Sequence, residues 1–242
     1  MTLKEIQKKL YENLTKHGWG SKLKMFLLSE EFTSILRYLY DESQEGRKFT
    51  PVLKDIFNAF YECPYDKLKI VIVGQDPYPQ IGVADGIAFS CSNSEKEQPS
   101  LRYIFDEIEQ TVYKPHLPGN KPEISRENYD KDLRRWSRQG ILMLNTALTC
   151  EINNIGSHVD LWKPFMIHLF DMLNTYNTGI IYVFLGKKAM EWHKNISANN
   201  YKFFAPHPAS AVYNGTAHWD SGNLFNNINK VMHDLYGEQI IW

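Results

Sequence analysis

Asp76, Asn145 and His207 are an acid, an amide and an imidazole, and each follows a short, strand-like run. Asp76 lies in Gly74-Gln75-Asp76-Pro77-Tyr78-Pro79, directly after Leu68-Lys69-Ile70-Val71-Ile72-Val73. Asn145 closes Gly140-Ile141-Leu142-Met143-Leu144-Asn145, and His207 stands in Pro206-His207-Pro208-Ala209-Ser210 after Tyr201–Ala205. Alone, each has an ordinary reading: Asp-Pro is turn chemistry, Asn145 a strand-end cap, and His-Pro a loop. If the runs are parallel strands of one sheet, all three residues meet in the crevice beyond the strands' carboxyl ends. That trio suits recognition and activation of a polar, planar ligand. The residues alone leave an enzyme and a binding module equally open.

The elements that must position them read as an alternation. Leu3, Ile6, Leu10 and Leu14 fall at helical spacing and predict an amphipathic helix ending near Gly18. A second helix fits Phe32 to Tyr40. Thr50-Pro51 predicts the start of a third, carrying Leu53, Ile56 and Phe60 on one face. Four apolar runs then predict strands over Leu68–Val73, Ile141–Leu144, Ile180–Leu185 and Tyr201–Ala205. Helical stretches are expected over Leu101–Val112, Lys131–Arg138, Leu161–Leu173, Lys188–Ile196 and Leu224–Leu235, the last closing at Gly237. This is α/β organisation: one domain over residues 1–242, with a central four-stranded, largely parallel sheet flanked by helices. The polar stretch Pro115 to Asp130 is expected to be an exposed loop.

Composition narrows the partners. The 242 residues are 43% hydrophobic and 23% charged, which excludes a disordered chain. Net charge is −1, which argues against coating nucleic acid by charge alone but not against one local basic face. No apolar run approaches the roughly 20 residues of a membrane span, and the lysine-rich start has no secretory pattern. Three scattered cysteines, Cys63, Cys91 and Cys150, make no disulfide framework and favour a reducing compartment. An intracellular location, cytoplasmic or nuclear, is therefore expected, without secretion or membrane attachment. Phosphate-cradling, dinucleotide, nucleophile-elbow and metalloprotease signatures are missing. Gly186-Lys187-Lys188 follows a strand but lacks the glycine-rich lead-in of a P-loop. It reads as a solvated helix start or as one amide and one lysine meeting a phosphate.

Val71-Ile72-Val73-Gly74-Gln75-Asp76-Pro77-Tyr78-Pro79 closely resembles the water-activating motif of the family-one uracil-DNA glycosylases. Gly86-Ile87-Ala88-Phe89-Ser90 resembles that family's uracil-stacking segment, and Gly140–Asn145 its strand ending in a uracil-reading asparagine. Ser157-His158, Trp162 and Phe165 follow in the family's manner, and His207-Pro208 resembles the start of its DNA-intercalation loop. The likeness runs from about Trp19 to Trp242. It implies an enzyme that hydrolyses the bond between uracil and deoxyribose in DNA, leaving an abasic site for repair. The nucleotide would be flipped into a pocket. Phe89 would stack on the base, Asn145 would read its N3–H and O4, Tyr78 would exclude a thymine methyl, and Gln75 would lend backbone contacts. His207 would donate to uracil O2 and Asp76 would position water and stabilise the cationic sugar. Ser100, Gly186, Lys187 and Ser210 would hold phosphates. No metal or organic cofactor is implied.

The departures from the family lie in its DNA-gripping loops. The proline-rich loop is reduced to Gln98-Pro99-Ser100, and Lys187 stands where many members carry serine. His207-Pro208-Ala209-Ser210-Ala211-Val212-Tyr213 is one residue short and lacks the leucine wedge, so Ala211, Val212 and Tyr213 make up the expected intercalation loop. The expected partners are uracil-containing DNA, single- or double-stranded, and DNA-mimicking protein inhibitors, with the protein a monomer. The competing reading is a glycosylase-fold DNA-binding or replication accessory subunit, which the presence of both Asp76 and His207 disfavours. A same-fold glycosylase for another base is disfavoured by Tyr78 with Asn145.

Overall fold

A computed structural model describes residues 2–46, 48–114 and 129–242. Three helices lead the chain: α1 (Leu3–Lys16), α2 (Trp19–Leu27) and α3 (Glu30–Gln44). Thr2 starts α1 with a capping box, its hydroxyl accepting the Glu5 N–H while the Glu5 carboxylate accepts the Thr2 N–H. Ser29 caps α3 through the Phe32 N–H. Between the first two helices Gly18 takes a left-handed backbone (φ +79°), so the first helix ends where the spacing placed its end, and α2 follows as an additional element.

The third expected helix does not begin at Thr50. Phe49–Thr50 forms β1, then come a single 3₁₀ turn over Leu53–Asp55 and the short α4 (Asn58–Glu62). Thr50 is extended because it pairs, antiparallel, with Cys150 further along the chain. The turn and α4 stay separate where another backbone packs into the gap. The Ala59 N–H donates to the Gly86 carbonyl, and a Cβ on Gly86 would lie 1.7 Å from the Asp55 carbonyl oxygen.

The remaining elements are β2 (Ile70–Gly74), α5 (Pro99–Ile108), α6 (Arg134–Ser137), β3 (Ile141–Asn145), β4 (Cys150–Glu151), α7 (Val159–Tyr176), β5 (Ile181–Leu185), α8 (Lys187–Met190), β6 (Tyr201–Ala205), α9 (Ser210–Tyr213) and α10 (Leu224–Tyr236). The helix expected over Lys188–Ile196 splits into α8 and a 3₁₀ turn. Of the expected loop Pro115–Asp130, residues 115–128 lie outside the described residues.

The sheet is as the alternation predicts: four parallel strands in the order β3-β2-β5-β6. Strands β2, β3 and β5 are buried at every position, which is why they read as unbroken apolar runs. Strand β6 lies at the edge with Tyr201 and Phe204 exposed, which explains its weaker pattern. The separate pair β1–β4 is two residues long on each side, too short for a period to register.

Packing of the helices rests on large rings. Helices α2 and α3 lie on α7, where Trp19, Phe32, Phe57, Phe60, Trp162 and Phe165 meet edge to face or tilted. A second aromatic group joins Phe105, Trp136, Phe225 and the terminal Trp242, whose carbonyl accepts the Tyr113 hydroxyl at 2.9 Å. Cys63, Cys91 and Cys150 are free and buried. Gly74 and Asn145 are opposite one another in the sheet, and Leu185 pairs with Ala205. The residues following all four strands therefore emerge at one end of the sheet.

Candidate functional site

The loop after β2 is held as an extension of the sheet. The Thr146 N–H donates to the Gly74 carbonyl at 3.0 Å and the Ala147 N–H to the Gln75 carbonyl at 2.9 Å. The Cys150 thiol donates to the Pro77 carbonyl, and the Asn153 N–H to the Pro79 carbonyl. Asp76 is thereby fixed, its Oδ1 accepting the Gly156 N–H at 3.2 Å. Its Oδ2 is buried and has no hydrogen-bond partner among the described residues. Burial pushes the carboxyl pKa up to about 6, against the opposing pull of the Gly156 amide and the Gln75 side chain. An orphaned carboxylate oxygen in a crevice is costly, and a site that needs a water or a cation there accounts for it.

Phe89 and Asn145 meet over Gly74. A Cβ on Gly74 would stand 2.6 Å from Asn145 Oδ1 and 3.3 Å from two carbons of the Phe89 ring. Only a glycine lets the amide and the ring approach this closely. Both residues are 8% exposed. The Asn145 amide has no recorded protein partner among the described residues, so its donor and acceptor face the open space. The Tyr78 hydroxyl donates to the Phe89 carbonyl at 3.2 Å, and burial holds the phenol well above its ordinary pKa.

His207 enters from the far strand. Its ring centroid lies 6.0 Å from that of Phe89. The Ala209 N–H donates to His207 Nδ1 at 3.2 Å, so Nδ1 carries the lone pair and the ring proton resides on Nε2. Burial lowers the imidazole pKa below its ordinary value, which keeps the ring neutral. Gly186, with φ +96°, backs it: a Cβ there would be 3.0 Å from His207 Cβ.

A cavity of about 460 Å³ results. Gln75, Asp76, Tyr78, Phe89, Asn145 and His207 line it, with Ser100 from the first turn of α5. Val212 and Tyr213 reach its mouth, whereas Ser210, Gly186 and Lys187 lie outside its lining. Ala211 is 2% exposed and faces the interior, while Tyr213 is 87% exposed. A neutral N–H donor, a carboxylate with one unpartnered oxygen, an open amide and an aromatic face thus surround one space. This set can hold a flat polar ring, distinguish its hydrogen-bonding edge and stabilise charge that develops on either side of a breaking bond.

Two supports escape the sequence reading. Gly156 sits in the loop between β4 and α7, where the Ser157 hydroxyl accepts the Glu151 N–H. Behind it Thr149 Oγ1 accepts the Trp162 indole N–H at 2.7 Å and bonds His158 Nδ1 at 2.8 Å. Asp85 is the other, a buried carboxylate at the head of the Phe89 loop; the Asp85-Gly86 dipeptide is its one sequence signal. Glu42, Glu151 and His158 bring one donor atom each within 4.8 Å of one another, outside the cavity lining.

Comparison with known proteins agrees with this geometry. A family model described as the uracil DNA glycosylase superfamily matches residues 60–233. The uracil-DNA glycosylase of Acinetobacter baumannii strain AYE is 31% identical over 238 residues, 98% of this chain and 95% of that protein. The Coxiella burnetii uracil-DNA glycosylase is 31% identical over 217 residues, 87% of each. Among solved structures, mimivirus uracil-DNA glycosylase superposes with a TM-score of 0.77 at 22% identity, covering 100% of this chain and 89% of that one. A mimivirus variant crystallised in complex with UGI gives 0.76 at 24% identity over 93% of this chain and 87% of that one. These two structures bear on the fold.

Proposed function

The chain belongs to the uracil DNA glycosylase superfamily, and from that premise we propose that its crevice excises uracil by the family-one route. It is a DNA repair glycosylase, a hydrolase of N-glycosyl bonds. The observation that carries the finer reading is the convergence of Asp76, Asn145, Phe89 and His207 on one cavity. Deoxyuridine leaves the stack and enters this cavity. Phe89 stacks on the ring, which gives affinity without discrimination. Asn145 accepts from N3–H and donates to O4; cytosine presents the reverse pattern and would leave buried groups unpaired. Tyr78, tied to the Phe89 carbonyl, occupies the space a thymine methyl needs.

As the glycosidic bond breaks, negative charge collects on uracil O2 and positive charge on the sugar. His207 donates its Nε2–H to O2 and stays neutral in the resting state because burial disfavours the imidazolium. The Asp76 carboxylate, on the lining of the cavity, serves the cationic sugar and the incoming water. A strong base is not required, since the sugar cation is itself highly electrophilic. Ser100, Gly186, Lys187 and Ser210 hold the flanking phosphates, and Val212 and Tyr213 meet the duplex, with Ala211 buried beneath them. The proposed partners are single- or double-stranded DNA carrying uracil and proteins that mimic DNA. The protein works as a monomer of one domain. The accessory-subunit reading is not favoured, the curated relatives being named for the glycosylase itself. No helix among the described residues is long and apolar enough to cross a membrane.

The test is single-turnover base release from oligonucleotides carrying uracil, thymine or cytosine at one position. Wild type is expected to release uracil alone, Tyr78→Ala to release thymine as well, and Asn145→Asp to release cytosine. A folded wild-type protein that releases no uracil would overturn the reading.

A further inference from the structure

Phe89 holds its ring over Gly74 from a backbone that phenylalanine rarely adopts, with φ at +64°. Such a conformation persists only where surrounding groups over-determine it. Here they converge on one side chain outside the cavity lining. Asp85 is 1% exposed. Its Oδ1 accepts the Ile87 N–H at 3.1 Å. Its Oδ2 accepts the Ser90 hydroxyl at 2.6 Å, the Ser92 N–H at 3.2 Å and the Ser92 hydroxyl at 2.6 Å. The donors come from both sides of Phe89, so residues 85–92 close around the carboxylate with Phe89 between them. The Ser90 hydroxyl oxygen also accepts the Leu133 N–H at 3.2 Å, which ties the closed loop to the rest of the chain. Arg134 stands by, its guanidinium 3.9 Å from Asp85 Oδ2 and itself paired with Asp132 and Glu62.

We propose that Asp85 is a positioning residue for base recognition: it is the acceptor around which residues 85–92 fold, and it thereby sets the Phe89 ring over the bound uracil. The inference rests on the reading of Phe89 given above. An ionised carboxylate suits the place because it is acceptor-only, and all its close partners are donors. Asparagine has the same shape but would turn an NH₂ toward N–H and O–H groups. Asp85→Asn thus takes away one acceptor, leaving the Ile87 N–H facing an NH₂ when the amide oxygen keeps the Ser90 and Ser92 donors, and takes the charge from the bonds that remain, without opening a cavity.

The experiment is a double-mutant cycle on uracil binding, read by calorimetry, and on single-turnover excision, with Asp85→Asn, Phe89→Ala and the double variant. Asp85→Asn is expected to weaken free-uracil binding about tenfold or more, the loss of charge-assisted hydrogen bonds acting through the ring. The double variant is then expected to bind no worse than Phe89→Ala alone. Independent, additive losses would show that Asp85 is general scaffolding, and unchanged uracil affinity in Asp85→Asn would equally overturn the proposal. Should Asp85→Asn fail to fold, Ser92→Ala removes one donor, and about a threefold loss with the same non-additivity is expected; additivity there overturns the proposal as well. A wild-type protein that neither binds nor releases uracil would instead overturn the function, so the two failures are distinguishable.

Discussion

The Phe89 loop and the Ser210–Tyr213 segment border the same cavity and are built in opposite ways. Phe89 is almost fully buried, tied by its carbonyl to Tyr78 and wrapped on a carboxylate through donors on both sides. Tyr213 is 87% exposed, on a turn closed by bonds among its own neighbours, such as Asn214 N–H to the Ser210 carbonyl and Thr216 N–H to the Ala211 carbonyl. One strut fixes the base of this turn, the Trp219 indole N–H on the Pro206 carbonyl at 3.1 Å. A surface that must sort bases gains from being rigid and dry before its ligand arrives, because an unpaired group is then costly. A surface that must enter a stacked duplex has to stay outside until DNA is present.

If that division holds, the largest losses come from the pre-built side. Asp76→Asn and His207→Leu should each lower single-turnover excision by about 100-fold or more, roughly 3 kcal/mol, with DNA binding little changed. Wild-type excision should also fall as pH drops through about 6, where Asp76 takes up its proton. The stability effect has the opposite sense. The folded pKa lies above the ordinary 3.8, so the stability linked to this group is full below 3.8 and is lost as pH rises through about 6. Asp76→Asn should therefore melt higher than wild type at pH 8, with the gap closing in acid. A variant that melts lower at pH 8 would mean that the carboxylate is a structural anchor.

Gly74→Ala comes next. The added methyl meets the Asn145 amide oxygen at 2.6 Å and the Phe89 ring at 3.3 Å, so one of them must move. The position is an ordinary strand site, and the protein should still fold, with uracil excision down about tenfold or more. Near-wild-type excision would show that the floor of the cavity is soft, and the contrast between the two regions would fail.

Legibility in the sequence follows the same division. The strand ends carrying Asp76 and Asn145 were readable because each pairs a buried, apolar run with a contiguous polar segment, whereas His207 follows the partly exposed edge strand β6 and its run is the weakest of the set. The β1–β4 pair was not readable, since two-residue strands leave no period. Asp85 was hidden for a different reason. Its meaning lies in which donors the folded loop turns toward it, and a carboxylate beside a glycine reads as an ordinary turn. Nor does the sequence say which way the short α9 faces. The family's leucine directs attention to Ala211, yet burial at 2% exposure removes Ala211 from any surface DNA can touch.

The smallest expected effect belongs to Tyr213 and depends on the substrate. Extruding a nucleotide from duplex DNA costs a few kcal/mol, less at a mismatch and least in a single strand. A large side chain entering the vacated space offsets part of that cost. Tyr213 is the bulky, exposed ring at the cavity mouth, with Val212 beside it half-exposed. Tyr213→Ala should slow excision about tenfold from a U·A duplex, less from U·G, and hardly at all from single strands. Ala211→Leu should not supply a wedge, because the added bulk has to be packed inside. Single-turnover rates on the three substrates at one salt concentration test this directly. An equal loss on all three would place Tyr213 in the base pocket instead of the duplex, and would join the two regions that the structure keeps apart.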